Sequence, residues 1–151
     1  MELIVGENTY MTLAEAETLM IDEFTSDSPE LAEWKLLSES DKKIAIRRGT
    51  SIVDKLIFLG RKVNPDSDLN FPRYIHGNEY EAPKAIKIAI LTQSLRDLYM
   101  NKKQEMQLQA MGVKEYSVAG AGIKFDSKST YKQKNGIYTS IYEDYLVKWI
   151  Y

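Results

Sequence analysis

The residues able to do chemistry are few. There is one histidine, His76, with Asn78 and Glu79 close behind it, and a His–Glu pair can in principle move protons. No activated nucleophile or oxyanion arrangement accompanies it, so His76 reads as a surface loop histidine. Asn64-Pro65-Asp66-Ser67-Asp68 has the look of a calcium loop, but the required glycine and the closing glutamate at the twelfth position are missing. It reads instead as a turn with Asx-type hydrogen bonds. Ala119-Gly120-Ala121-Gly122 lacks the third glycine and helix start of a dinucleotide fingerprint, and the Gly-Lys-Ser/Thr of a phosphate loop, and so is a turn. There is no cysteine, which excludes disulfides, thiolate nucleophiles and cysteine-ligated zinc or iron–sulfur sites. A single histidine excludes a histidine-rich metal cluster. The expectation is a non-enzymatic chain with no catalytic residues, cofactor or metal.

The richer signal is aromatic and basic. Of ten tyrosines, Tyr131, Tyr138, Tyr142, Tyr145 and Tyr151 fall in the last twenty-one residues, together with Trp149. Lys124, Lys128, Lys132 and Lys134 lie just before or among them. Lysines interleaved with aromatics suit single-stranded nucleic acid, by phosphate pairing and base stacking. The same mixture suits protein interfaces, where tyrosine and tryptophan anchor the buried centre. Ile123 and Phe125 flank Lys124 with strand character, which favours strand addition to a partner. For 126–136 the interface reading therefore ranks above nucleic acid, while Ile141, Tyr145 and Trp149 read as core.

The elements that must position these residues are mainly helical. A length of 151 residues makes one domain the default, with a helical bundle over residues 1–112 and an arm and C-terminal helix over 113–151. Thr12-Leu13-Ala14-Glu15 is a capping box, and the helix behind it runs to about Phe24. Ser28-Pro29-Glu30 starts a short helix carrying Leu31 and Trp34. Ser38 to Asp41 opens the longest helix, expected to continue to Leu59 and stop at Gly60. Gly49 lies within its apolar face at a cost of roughly 1 kcal/mol against alanine, which close contact with another helix would offset. A fourth helix begins at Pro83 and reaches about Asn101. Its Ala85–Leu91 run is apolar on nearly every side, and a buried strand is the rival reading there. Residues 61–81 read as irregular, Val113–Phe125 as a hairpin around the glycine-rich turn, and Ile137–Tyr151 as a short amphipathic helix. The fold class is thus mainly α: four to five helices with a short β-hairpin or extended arm near the C-terminus.

Charge is strongly asymmetric. Residues 1–41 hold eleven acids against the single base Lys35, and the remainder holds nineteen bases against eleven acids, within a net charge of −2. Such polarity suits contacts between copies or with two unlike partners, and a pair of solvated helix faces is the plainer reading. The apolar runs are far short of a membrane span, and Met1-Glu2-Leu3-Ile4 has no signal-peptide pattern, so a soluble intracellular chain without membrane partners is expected.

The ordered motifs Asn8-Thr9-Tyr10, Leu13-Ala14-Glu15-Ala16, Trp34, Ala45 with Arg48, Gly60-Arg61-Lys62-Val63-Asn64-Pro65, Phe71-Pro72-Arg73 and the Pro83 helix resemble the head–tail connector (adaptor, head-completion) proteins of long-tailed bacteriophages and phage-like particles. Thr9, Asn64 and Phe71 depart conservatively from the pattern, and the resemblance covers about residues 6–100. It implies a structural virion protein, assembled in the host cytoplasm, that forms a ring of twelve copies between the portal protein and a neck or tail-completion protein. DNA would be only the passing content of its channel. On this reading Ile123, Lys124, Phe125, Lys128, Tyr131, Lys132 and Lys134 bind the portal or a neighbour, and Glu15, Glu17, Asp22 and Glu23 supply ring or lumen charge. Part of that family is also labelled as resembling a single-stranded-DNA-binding primosomal protein. The alternative is accordingly a single-stranded nucleic-acid-binding module using Lys124, Lys128, Tyr131, Lys132 and Lys134.

Overall fold

The computed structural model describes residues 2–110, 133–134 and 136–151, with side chains described through residue 102 and from residue 133 onward. Its helices start where the sequence provides side-chain caps. Thr12 Oγ1 accepts from Glu15 N at 3.1 Å to open α1 (Leu13–Glu23), Ser28 Oγ accepts from Leu31 N at 3.2 Å to open α2 (Pro29–Leu36), and Ser38 Oγ accepts from Asp41 N at 3.1 Å to open α3 (Glu39–Val53). Each cap satisfies one of the donors a helix start leaves free.

The long helix α4 (Lys84–Ala110) is the axis of the molecule. Ile86, Ala89, Ile90, Leu91 and Leu95 on it are all buried, because α1, α2, α3 and the C-terminal segment pack around it. This settles Ala85–Leu91 as helix rather than strand. The helix runs on past Asn101 through Lys102–Ala110, whose Lys, Gln, Glu, Met, Leu and Ala are all strong helix formers. Gly49 is the contact point with α3: a Cβ there would lie 2.5 Å from the carbonyl oxygen of Ile90.

Expectation and structure part at residue 54. Helix α3 ends at Val53 rather than Leu59, because Asp54 is held elsewhere. Its carboxylate accepts from the Tyr10 hydroxyl and from Asn70 N, and its carbonyl accepts from Asn70 Nδ2 at 2.6 Å. Residues 57–59 then turn to the far end of the chain, with Leu59 N donating to Trp149 O (2.9 Å), Tyr151 N to Ile57 O (2.8 Å), and Phe58 bridged antiparallel to Ile150. The stretch expected to be irregular holds an antiparallel sheet of β1 (Arg61–Lys62), β2 (Arg73–Ile75) and β3 (Asn78–Tyr80), with Lys62 opposite Arg73 and Arg73 opposite Tyr80. Strands of two or three residues carry no readable alternation. The Asx turn is present, with Asp66 N donating to Asn64 Oδ1 at 3.1 Å. Gly60 enters β1 at φ +75°, where a Cβ would come within 1.8 Å of Tyr74 O.

The hairpin expected over Val113–Phe125 lies outside the described residues. A short one is formed by β4 (Gln133–Lys134) and β5 (Ile137–Tyr138) through Gly136. The C-terminal helix is shorter than expected: α5 (Thr139–Ile141) widens into a π turn over Tyr142–Leu146, with Val147 N donating to Tyr142 O at 2.9 Å. The buried Gln93 side chain on α4 anchors this unit, donating to Gly136 O (3.0 Å) and accepting from Tyr138 N (3.1 Å). Arg96 adds a 2.6 Å bond to Ser140 Oγ and lies over the Tyr138 ring. The class is as the sequence indicates, a mainly α fold with a short hairpin near the C-terminus. No described helix is long and apolar enough to cross a membrane.

Candidate functional site

The charge asymmetry of the sequence is spent largely inside the fold. Glu2 pairs with Lys43, Glu15 with Lys87, Glu17 with Lys42, Glu23 with Lys84, Glu30 with Arg96 and Glu33 with Lys102, at N···O distances of 2.8–3.5 Å. The acidic first segment is therefore the electrostatic complement of α3 and α4 in the same molecule, which corrects the reading of two opposed faces offered to partners. Three of the four carboxylates assigned to a ring or channel (Glu15, Glu17, Glu23) are engaged in this way, and Asp22 is exposed on α1. Burial works against the charge on Glu17. Hydrogen bonds from Lys42 and from the Trp34 indole nevertheless hold its carboxyl below the ordinary value.

What this leaves over defines a site. Arg47, Arg48 and Lys55 are exposed and have no ion pair among the described residues. Arg47, Arg48 and Ser51 lie on the side of α3 opposite the buried Ile46, Gly49, Thr50 and Val53, and Lys55 follows two residues past the helix end. They line a polar recess of about 590 Å³ that also takes in Asn8 and three carboxylates, Glu7, Asp54 and Asp68. Lys55 continues into a second recess of about 660 Å³ lined by Ile57, Lys134, Tyr142, Glu143 and Tyr151. The two recesses meet at Lys55. Tyr151 is 92% exposed and Ile57 75%, while Tyr142 anchors to the hairpin by donating from its hydroxyl to Lys134 O at 2.9 Å. The backbone pairing of 57–59 with 149–151 brings aromatics from the far end of the chain to the basic face of α3.

Among the described residues, the other cations without an ion pair have different surroundings. Lys62 donates to Ser67 O, Arg61 lies over the Tyr74 ring and Lys148 over Trp149, and Lys35 is exposed on α2. Arg73 is buried and donates to the carbonyls of Phe58, Leu59 and Gly60 and to Asn70 Oδ1. It serves the backbone turn, not an acid at a helix end. His76 stands at the exposed β2–β3 turn with φ 51° and lines none of these recesses. A third recess of about 320 Å³ lies between α3 and α4 around Ile44, Ala45, Ile52 and Leu98, with Arg48, Asp41 and Asp97 also in its lining.

Of the residues singled out from sequence, Ile123, Lys124, Phe125, Lys128, Tyr131 and Lys132 lie outside the described residues. Lys134 is exposed on β4 and lines the second recess. The α3 cations escape the sequence reading, although their spacing on the polar side of the best-defined helix is a readable signal. Ile141 is buried, with Tyr145 and Trp149 packed partly buried against the core, as expected.

Bases without ion-pair partners in a trough that ends at tyrosine rings are a combination by which proteins hold single nucleic-acid strands. The chain matches, over residues 2–149, the family described as "Putative DnaT-like ssDNA binding protein", and it belongs to that family. No curated protein and no solved structure matches it. This family corrects the connector reading: the portal, the twelve-membered ring, the neck protein and the virion role rested on that resemblance and fall with it. The reason is visible in the structure. Tyr10, Trp34, Phe71 and Arg73, which carried the resemblance, are buried and hold the fold together, and residues that fix a fold do not by themselves specify a function.

Proposed function

We propose that the protein binds single-stranded DNA, non-catalytically, along the trough from Arg47 and Arg48 past Lys55 to Lys134, Tyr142 and Tyr151. One observation carries the reading. Six bases of α3 and α4 are neutralised by acids of the first helices and the N-terminal segment, while among the described residues the bases around this trough have no such partner. Unpaired guanidinium and ammonium groups attract phosphate, and an unpaired strand exposes base faces that can stack on Tyr151 and Tyr142. Glu7, Asp54 and Asp68 offset the field of the three bases in the first recess, so the second, with two lysines and two tyrosines beside Glu143, is the end where stacking contributes most. A duplex hides its base faces and forgoes that contribution.

Fluorescence anisotropy with a labelled thymidine oligonucleotide tests this. The triple variant Arg47→Ala, Arg48→Ala, Lys55→Ala loses about a hundredfold in affinity at roughly 0.1 M salt, given a single-strand counterion slope near 0.7 per phosphate contact. Tyr151→Ala loses about fivefold or more, the value of one stacked base. Lys35→Ala, removing an exposed base outside the trough, leaves binding unchanged. Wild-type affinity in the triple variant would place the strand elsewhere.

A further inference from the structure

The second recess holds a feature that phosphate attraction does not account for. Glu143, in the π turn, is exposed and lines the recess in company with Tyr142, Tyr151, Lys55 and Lys134. It makes no ion pair with either lysine. A carboxylate in a phosphate-binding trough repels the backbone and, being acceptor-only, favours a ligand that brings donors to it. On a single DNA strand the donors are on the bases. Guanine offers two side by side, N1–H and the N2 amine, matched to the two oxygens of a carboxylate. Thymine has one N3–H between two carbonyl acceptors, and adenine and cytosine each have an amine next to a ring acceptor.

We infer that Glu143 makes this recess selective for an unpaired guanine, stacked on the neighbouring tyrosine rings with its N1–H and N2 amine donated to the carboxylate. This rests on the trough being the DNA-binding site. It adds a base preference to binding that lysines and tyrosines alone would leave sequence-tolerant. In a duplex the same guanine edge is occupied by cytosine, so the contact also selects against paired DNA.

The test compares thymidine oligonucleotides that differ at one central position, dT, dG or deoxyinosine, the last keeping N1–H and lacking the N2 amine. For the wild-type protein the dG strand binds about five- to tenfold tighter than all-dT, the lower end of what a bidentate base contact contributes, as suits an exposed carboxylate, with deoxyinosine between them. Glu143→Ala abolishes the difference, and loss of repulsion leaves its all-dT affinity equal or higher. Equal wild-type affinities with salt-sensitive binding intact would overturn the guanine inference alone. A dG preference that survives in Glu143→Ala would overturn it as well. Failure of every strand to bind would remove the trough reading and this one together.

Discussion

The Tyr10 hydroxyl is the smallest part on which the trough depends. It donates to Asp54 and accepts from Asn70 N (3.0 Å) and Phe71 N (3.2 Å), tying the chain start, the end of α3 and the approach to β2 to one oxygen. Burial, then the Asp54 carboxylate, pushes the phenol well above its ordinary 10.0. Burial likewise raises Asp54 despite the hydrogen bonds that oppose it, and raises Tyr138, where Asp97 adds to the effect. For the two phenols, whose folded-state values are raised, the contribution to stability is complete below the unfolded value and is lost as pH rises through the folded one, whereas for Asp54 the same loss begins above its ordinary 3.8. The melting temperature should therefore fall as pH climbs beyond about 10, the ordinary phenol value, where only the unfolded chain releases these protons. Tyr10→Phe should flatten that fall. It should also cost about 1–3 kcal/mol at neutral pH by urea titration, because Phe71 N loses its acceptor and the Asp54 carboxylate loses one donor, while Asn70 N keeps Asp54. A pH-independent melting temperature up to pH 11 would mean the phenols titrate normally and the network does not hold.

At the scale of elements, the α3–α4 contact decides where the basic face points. The oxygen a Gly49 Cβ would meet belongs to the Ile90 backbone, so α3 must shift to admit even a methyl. Gly49→Ala gains about 1 kcal/mol of helix propensity and incurs overpacking strain of about 1–3 kcal/mol or more. A clash with backbone places the strain at or above the upper end, for a net loss of about 2 kcal/mol, or roughly 4–8 °C in melting temperature for a chain this size. Calorimetry showing a rise instead would mean the helices are not in contact there. This contact is legible in the sequence because a glycine inside an apolar helical face weakens the helix unless a neighbouring backbone needs the space. So are the Thr12, Ser28 and Ser38 caps, which depend on three or four neighbouring residues. The end of α3 is not, because Asp54 is drawn out of the helix by Tyr10 and Asn70, forty-four and sixteen positions away. The site divides along the same line. Lys134 stands out in the sequence for its aromatic neighbours, whereas the meeting of Lys55 with Tyr151 exists only because residues 57 and 151 are joined by a backbone hydrogen bond.

For the molecule as a whole, a net charge of −2 argues against binding a polyanion, yet net charge is the wrong measure here. The acids of the first two helices face lysines and arginines that would otherwise widen the basic surface. Such pairs contribute little stability singly; together they take six bases out of the unneutralised surface and, among the described residues, leave Arg47, Arg48, Lys55 and Lys134 without an ion pair along one trough. Screening over about 10 Å at 0.1 M salt keeps the remote carboxylates from cancelling it. The binding should then follow the local count of cations. With Arg47, Arg48, Lys55 and Lys134 each on a phosphate, the logarithm of the association constant should fall against the logarithm of salt with a slope near −2.8, about fiftyfold between 50 and 200 mM. The triple variant lacking Arg47, Arg48 and Lys55 should retain a slope near −0.7. A wild-type slope near zero would make the interaction one of stacking alone. A slope beyond about −5 would require cations outside the trough, and in either case the four cations of this surface would not be what binds the strand.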